Sequence, residues 1–178
     1  MNTVTQQLNT VRVRRARISD IMALVAMIRM LMEERTRIRP CWQVVRDGIS
    51  RIMNDETLGA YYVARIDRRI VGMMLLTPFF DDVTNADSLV VRRVFVRPKF
   101  RRRGVNAALF NKIGSVAVET QAKDIQLICR RDNADGIQAF TACGMEADAF
   151  RFRLTVNASV VPPVVPAISR SQSTELVS

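Results

Sequence analysis

The chain of 178 residues contains no histidine. That excludes Ser-His-Asp and Cys-His catalysis and removes the commonest zinc ligand, so any acid or base must be another side chain or water. The three cysteines, Cys41, Cys129 and Cys143, have no ligand-like spacing, and their odd number argues against a disulfide framework. They read as reduced thiols, and no metal site is expected. Glycine and proline are also scarce, at seven and six residues, while apolar residues make up 48% and charged residues 25%. This is the balance of a folded protein rather than a disordered one. No apolar run approaches the roughly 20 residues that span a bilayer, and "MNTVTQQLNT" lacks the charged-then-apolar order of a secretory signal. The expectation is a cytoplasmic protein without a membrane role.

Lysine is nearly missing too: 24 of the 27 cationic residues are arginine, set against 17 acids for a net charge of +10. Arginine presents a planar fork suited to phosphate and carboxylate, which favours phosphate-bearing partners. Nucleic acid is one such partner. It is less favoured here because the chain has no zinc-finger, basic-zipper or aromatic RNA-platform signature, and because its charge peaks in one segment. Seven cationic side chains fall between Arg92 and Arg103, in "VFVRPKFRRRGVNAALF" and the two residues before it.

Hydrophobic periodicity sets the elements around that segment. "RVRRAR" is a short strand, and Ser19 is placed to cap a helix with Ile21, Leu24, Val25, Ile28, Leu31 and Met32 on one face. A second helix carries Trp42, Val45, Ile49 and Ile52 on its core side. "GAYYVARIDRRIVGMMLLTPFF" reads as a hairpin turning at Asp67 to Arg69, with Met73, Met74, Phe79 and Phe80 expected mainly in the core. "SLVVRRVFV" is a further strand stopped by Pro98. A helix with Val105, Ala108, Leu109, Ile113 and Val116 on one side follows. "DIQLICR", the helix "NADGIQAFTAC" ended by Gly144, and "FRFRLTV" complete an order β-α-α-β-β-β-α-β-α-β. Residues 1–10 are expected to be a flexible N-terminus. Residues 157–178, with three prolines and no periodicity, are expected to be an extended tail.

A loop that leaves a strand and enters a helix presents backbone N–H groups with no intrahelical partner, backed by the positive end of the helix dipole. Arg101, Arg102 and Arg103 surround that point with donors, and Gly104 permits close approach of a ligand. A diphosphate suits such a cradle better than a lone phosphate.

These residues resemble the acyl-CoA pyrophosphate loop of the GNAT superfamily of N-acyltransferases, in which Arg or Gln is followed after two residues by Gly and then, after one more, by Gly or Ala. Arg101 and Gly104 match, Val96 and Pro98 match the positions before them, and Asn106 stands where Gly or Ala is usual. A second block is similar to the family's next one: Asn133, then Phe140 where Tyr is usual, then Gly144 and Met145. The resemblance spans roughly Val11 to Val156. It implies the α/β (α+β) GNAT fold, a mixed and mostly antiparallel sheet flanked by helices, over a domain of residues 11–156. It implies acetyl-CoA as cofactor, with its diphosphate at Arg101, Arg102, Arg103, Gly104, Val105 and Asn106. The pantetheine arm would pair with the fourth strand at Val94, Phe95 and Val96, where that strand splays from the fifth, and Asn133 and Phe140 would lie beside it. The acceptor would be an amine on a small molecule or a protein.

Acyl transfer also needs the amine's proton removed and the thiolate stabilised. Phe140 has no proton to give, and no Asp or Glu lies between Asp87 and Glu119. Asp87, with Asp81 and Asp82, is the nearest carboxylate to the fourth strand; Cys143, Ser88, Tyr61 and Tyr62 are the other candidates, with Asp87 and Cys143 the catalytic pair nominated. The alternative from the same residues is a GNAT fold without catalysis that serves as a structural subunit, for instance in a virus particle, held by contacts through the 157–178 tail.

Overall fold

The structure, a computed structural model, describes residues 10–147. Most of the expected N-terminal segment, the strand expected at "FRFRLTV", the domain end at 156 and the 157–178 tail lie outside the described residues. Within them the expected order holds: β1 (Arg12–Arg15), α1 (Ile21–Thr36), α2 (Trp42–Asn54), β2 (Ala60–Ile66), β3 (Arg69–Asp81), β4 (Ala86–Val96), α3 (Val105–Glu119), β5 (Asp124–Leu127) and α4 (Ala134–Thr141). The five strands form one sheet in the order β1-β2-β3-β4-β5. All neighbours are antiparallel except β4 and β5, which are parallel and connected through α3.

Two apolar layers hold the sheet from opposite faces. Leu24, Val25, Met27, Ile28 and Leu31 of α1, with Ile49 of α2, bury against Tyr61, Val63, Met73, Leu75 and Phe95. Val105, Leu109, Ile113, Val116 and Ala117 of α3 bury against Tyr62, Ala64, Met74, Leu76 and Val91. The strands divide between these layers in alternation, as the pleat requires. Each fully buried side chain of this size stabilises the fold by about 2 kcal/mol, which makes the two layers the main source of cohesion.

The structure departs from the periodic reading at identifiable places. Ser19 does not cap α1. A single turn of 3-10 helix spans Ile18–Asp20, and the Asp20 carboxylate closes it by accepting from the Arg17 backbone N–H at 2.7 Å. Trp42 leaves the core and lies partly exposed, with the Arg46 guanidinium 5.2 Å from its ring centre. Phe79 and Phe80 are exposed, unlike Met73 and Met74, which are fully buried. The reason is reach: β2 pairs with β3 only as far as Leu76, so among the described residues the end of β3 has only β4 as a strand neighbour. The turn after it is closed by Asp81, whose Oδ1 accepts from the N–H groups of Val83 and Thr84. Among the described residues no helix is long and apolar enough to cross a membrane.

Asp20 anchors β1 to the start of α1. Arg14 donates to both of its oxygens, at 2.6 and 3.0 Å, and Asp20 is buried. The hydrogen bonds from Arg14 hold its carboxyl below the usual carboxylate range, against the opposing effect of burial. A lowered folded pKa means that the stabilisation is fully present above the unfolded value near 4 and fades as pH falls through the folded one. Asp20→Asn is therefore expected to lose about 2 kcal/mol at pH 7, read by urea melts, and to flatten the acid limb of stability below about pH 4. A melt indistinguishable from the unsubstituted protein at pH 7 would remove Asp20 from this role.

Candidate functional site

The site begins where β4 parts from β5. The two strands pair from Ser88 with Asp124 to Val91 with Leu127, and no further. From Arg92 to Val96, β4 keeps β3 on one side and, among the described residues, has no strand on the other. An open edge of this kind offers backbone donors and acceptors to an extended ligand. Val94, Phe95 and Val96 all lie on it, as the resemblance implies.

A β-bulge falls at the same point. Leu76 pairs with Val91 but Leu75 pairs with Arg93, which leaves Arg92 as the extra residue. A bulge shifts side-chain alternation by one place. Val91, Val94 and Val96 consequently pack on the α3 side, while Arg93 and Phe95 face the α1 side.

Past β4 the chain makes a single 3-10 turn, Pro98–Phe100, and enters α3 through "RRRG". Arg102 and Gly104 both have left-handed backbone conformations, φ 58° and 72°. Left-handed residues curl the chain so that successive N–H groups gather on one concave side. Gly104 is the N-cap of α3 and contributes no side chain to satisfy the first N–H groups, and there is no acid in the first turn. A Cβ built on Gly104 would meet nothing within 4 Å. That open space, with Val105 buried behind it and Asn106 half-buried beside it, leaves the first N–H groups of α3 without a side-chain cap, the arrangement in which helix starts accept anions.

The three arginines of the loop divide their work. Arg101 turns away from the cradle toward α1: its terminal nitrogen donates to both Glu34 oxygens, at 2.9 and 2.8 Å, and its Nε donates to the Val96 carbonyl at 3.1 Å. Its guanidinium also lies 5.7 Å from the Phe95 ring centre. Arg101 is thus a brace between α1 and the end of β4. Arg103 lies over the Phe100 ring at 5.6 Å. Arg102 is exposed and is left to face solvent or a ligand.

The second block packs nearby. The Asn133 side chain caps α4, with Oδ1 accepting from the Gly136 N–H at 3.1 Å, while Nδ2 lies 3.5 Å from the Cys129 sulfur. Phe140 rests on Phe110 of α3, ring centres 5.6 Å apart and tilted by 40°. Where the resemblance implies a tyrosine, this ring joins α4 to α3. Cys143 follows α4 as an exposed free thiol.

Asp87 is not brought to the gap. It lies on the joined part of β4, where its carbonyl accepts from the Lys123 N–H at 2.8 Å, and its side chain is exposed. Five residues separate it from Arg92, about 17 Å along the strand. Tyr61 and Arg93 lie on the α1 side of the open edge, and Arg35 of α1 is close enough to Arg93, Cys129 and Arg130 to feel their charges. Tyr61, Leu75 and Arg93 occupy one row across three strands. Burial pushes the Tyr61 hydroxyl up, and the charge and hydrogen bonding of Arg93 oppose that shift. The phenol therefore keeps its proton at neutral pH. Arg35 and Glu34 escaped the sequence reading, since nothing along α1 marks them as different from its other exposed charges.

Glu34 and Arg101 are both exposed at about four-tenths or more of their side-chain surface. A double-mutant cycle with Glu34→Gln and Arg101→Gln is expected to give a coupling below about 1 kcal/mol, the worth of an exposed pair. A coupling above about 2 kcal/mol would show that the brace holds α1 in place. Gly104→Ala is expected to cost about 1 kcal/mol in urea melts from the left-handed backbone alone, because its new Cβ has room. A larger loss would mean a tighter loop than the one described.

The solved structures similar to this one are consistent with a shared fold. A protein described as a possible acetyltransferase from Clostridium difficile 630 superposes with a TM-score of 0.75 at 22% identity, over 83% of this chain and 98% of that one. Ribosomal-protein-alanine N-acetyltransferase from Brucella melitensis biovar Abortus 2308 gives 0.69 at 18% identity, over 83% and 100%. An aminoglycoside acetyltransferase from an uncultured soil metagenomic sample, in complex with trehalose, gives 0.69 at 14% identity, over 84% and 98%. No curated protein matches the chain by sequence. The model of the acetyltransferase (GNAT) family matches residues 25–145, which takes in most of α1, the open edge of β4, the arginine loop and α4. With its parted β4 and β5 and its glycine-capped α3 inside that span, the chain belongs to the GNAT acetyltransferase family.

Proposed function

We propose that the protein binds acetyl-CoA and transfers its acetyl group to a primary amine by direct attack. The observation that carries this reading is the open edge of β4 leading straight into an uncapped helix start, with room for a ligand at Gly104. In this reading the diphosphate sits against the N–H groups of Gly104, Val105 and Asn106, with Arg102 and Arg103 at the rim. The pantetheine arm runs along Val94, Phe95 and Val96, bounded on the far side by Asn133 and Phe140. Arg101 acts through Glu34 and the Val96 carbonyl to hold the strand end and loop in register.

The amine nitrogen attacks the thioester carbonyl, the C–S bond breaks, and the CoA thiolate leaves. The proton released from nitrogen passes to water or to the thiolate. No carboxylate of Asp87 reaches this point, so solvent takes the place of a fixed base. Thiolate is a good leaving group, and nearby N–H donors stabilise it, which allows the reaction without the tyrosine.

Acetyl-CoA at a hundredfold excess over its Kd is expected to stabilise the protein by about 2.7 kcal/mol, a rise of several degrees in Tm. Gly104→Val with Arg102→Glu is expected to abolish that rise. Absence of any shift at millimolar acetyl-CoA would end the reading.

A second reading is favoured by one feature: Phe140 is committed to packing on Phe110 and offers no acid. It makes the protein a cofactor-binding member without turnover, a subunit of a larger assembly. Phe140→Tyr separates the two readings. Under the first, it is expected to raise kcat by about tenfold with KM unchanged, followed by release of the CoA thiol. Acetyl-CoA binding with no thiol release from any amine, in either form, would establish the second.

A further inference from the structure

Arg93 occupies an unusual place. Its neighbours across the sheet, Leu75 and Tyr61, and the next residue on its own face, Phe95, all belong to the apolar layer under α1 and α2. A guanidinium set against such a layer is costly unless something pairs with it. Among the described residues no carboxylate does; its polar neighbour is the Tyr61 hydroxyl. The bulge at Arg92 is what puts it there, since unbroken alternation would have turned Arg93 toward α3.

A second arginine is near enough to feel its charge. Arg35, near the end of α1, forms no ion pair with a carboxylate among the described residues. Desolvation pushes its pKa down, and the like charges of Arg93 and Arg130 push the same way, against Cys129 and Glu34. Its neighbouring acid Glu34 is already engaged, as is Asp132, the partner of Arg130. Glu34 gives both oxygens to Arg101, and Asp132 gives both to Arg130, one of them at 2.8 Å from its Nε. Among the described residues, Arg93 of β4 faces the α1 layer, Arg35 near the end of α1 is close enough to feel its charge, and neither has a carboxylate partner.

We infer that the acceptor amine carries an acidic group, a carboxylate or phosphate, which Arg35 and Arg93 take up on the α1 side of the open edge. The inference rests on the acetyltransferase reading and gives it a substrate class. Two guanidinium forks match an oxyanion by charge and by shape. The two faces of β4 separate this anion from the cofactor's. Val94 and Val96 face α3, whose start forms the diphosphate cradle, whereas Arg93 faces the opposite layer. Tyr61 is a positioning residue, a buried phenol that orients the Arg93 guanidinium from below.

The test uses the full chain and amines that differ only in the acid: lysine against cadaverine, and O-phosphoethanolamine against ethanolamine. CoA-thiol release is followed at saturating acetyl-CoA, amine binding is followed by calorimetry with CoA present, and acetyl-CoA affinity is read separately by Tm. The acidic member of at least one pair is expected to exceed its neutral or cationic twin by at least about tenfold in kcat/KM or in affinity. The pair with the larger ratio tells carboxylate from phosphate. Arg93→Gln and Arg35→Gln are each expected to erase the preference while leaving the Kd for acetyl-CoA within about twofold. Tyr61→Phe is expected to raise the acceptor KM with kcat little changed. Should Arg93→Gln fail to fold, the exposed Arg35→Gln carries the test alone. Equal or reversed preference overturns the inference. So does failure of every acidic amine to bind while acetyl-CoA still raises Tm, and so does weakened acetyl-CoA binding in the arginine variants. If the unsubstituted protein shows no Tm response to acetyl-CoA, it is the acetyltransferase reading that falls, and this inference with it.

Discussion

The site depends on β4 losing its partner halfway along. Backbone N–H and C=O groups in a sheet require partners, and β4 has one on both sides only as far as Val91. Beyond that residue, among the described residues, the strand is held by β3 alone, and its other edge has backbone groups left without a strand partner. The bulge at Arg92 lies at the same position, so the place where pairing stops is also the place where the side chains change faces. One consequence is a division of labour. The α3 side of the open strand is apolar and leads to the loop that suits a diphosphate, while the α1 side carries Arg93 and, above it, Arg35.

The net charge of +10 does not make a uniform cationic surface. Arg14 is spent on Asp20, Arg101 on Glu34 and Arg130 on Asp132, each within the fold. Arg103 and Arg46 lie over aromatic rings. Among the described residues near the open edge, several guanidinium groups form no ion pair with a carboxylate, Arg92 and Arg102 among them, with Arg35 and Arg93 on the α1 side. That pattern suits discrete anions at fixed points better than a polyanion tracked along a surface.

Much of the architecture was legible because it is written in local periodicity. Helical spacing in α1 and α3 and the apolar arm of β3 needed only neighbouring residues to be read. The errors came where tertiary reach decides burial. Phe79 and Phe80 look like core until β2 is found to stop at Leu76, and Trp42 begins a helix that buries Ile49 instead. The loop at Arg101 to Gly104 was found from its position between strand and helix, but its three arginines look equivalent in the sequence. Their separation depends on Glu34 and Phe100, one of them 67 positions away from Arg101 in the chain.

The sequence by itself determined the order of the described elements, the lack of histidine chemistry and the glycine at the start of α3, because each is a property of residue type at short spacing, while the phenylalanine at 140 in place of a tyrosine came from the family resemblance. Only the tertiary structure decided which arginines pair with Asp20, Glu34 and Asp132, that Asp87 lies on the closed part of β4, and that Arg93 faces α1. Those outcomes turn on strand register and on a one-residue bulge. Both are fixed by pairing between segments distant in the chain, where a shift of one residue moves a side chain to the other face of the sheet.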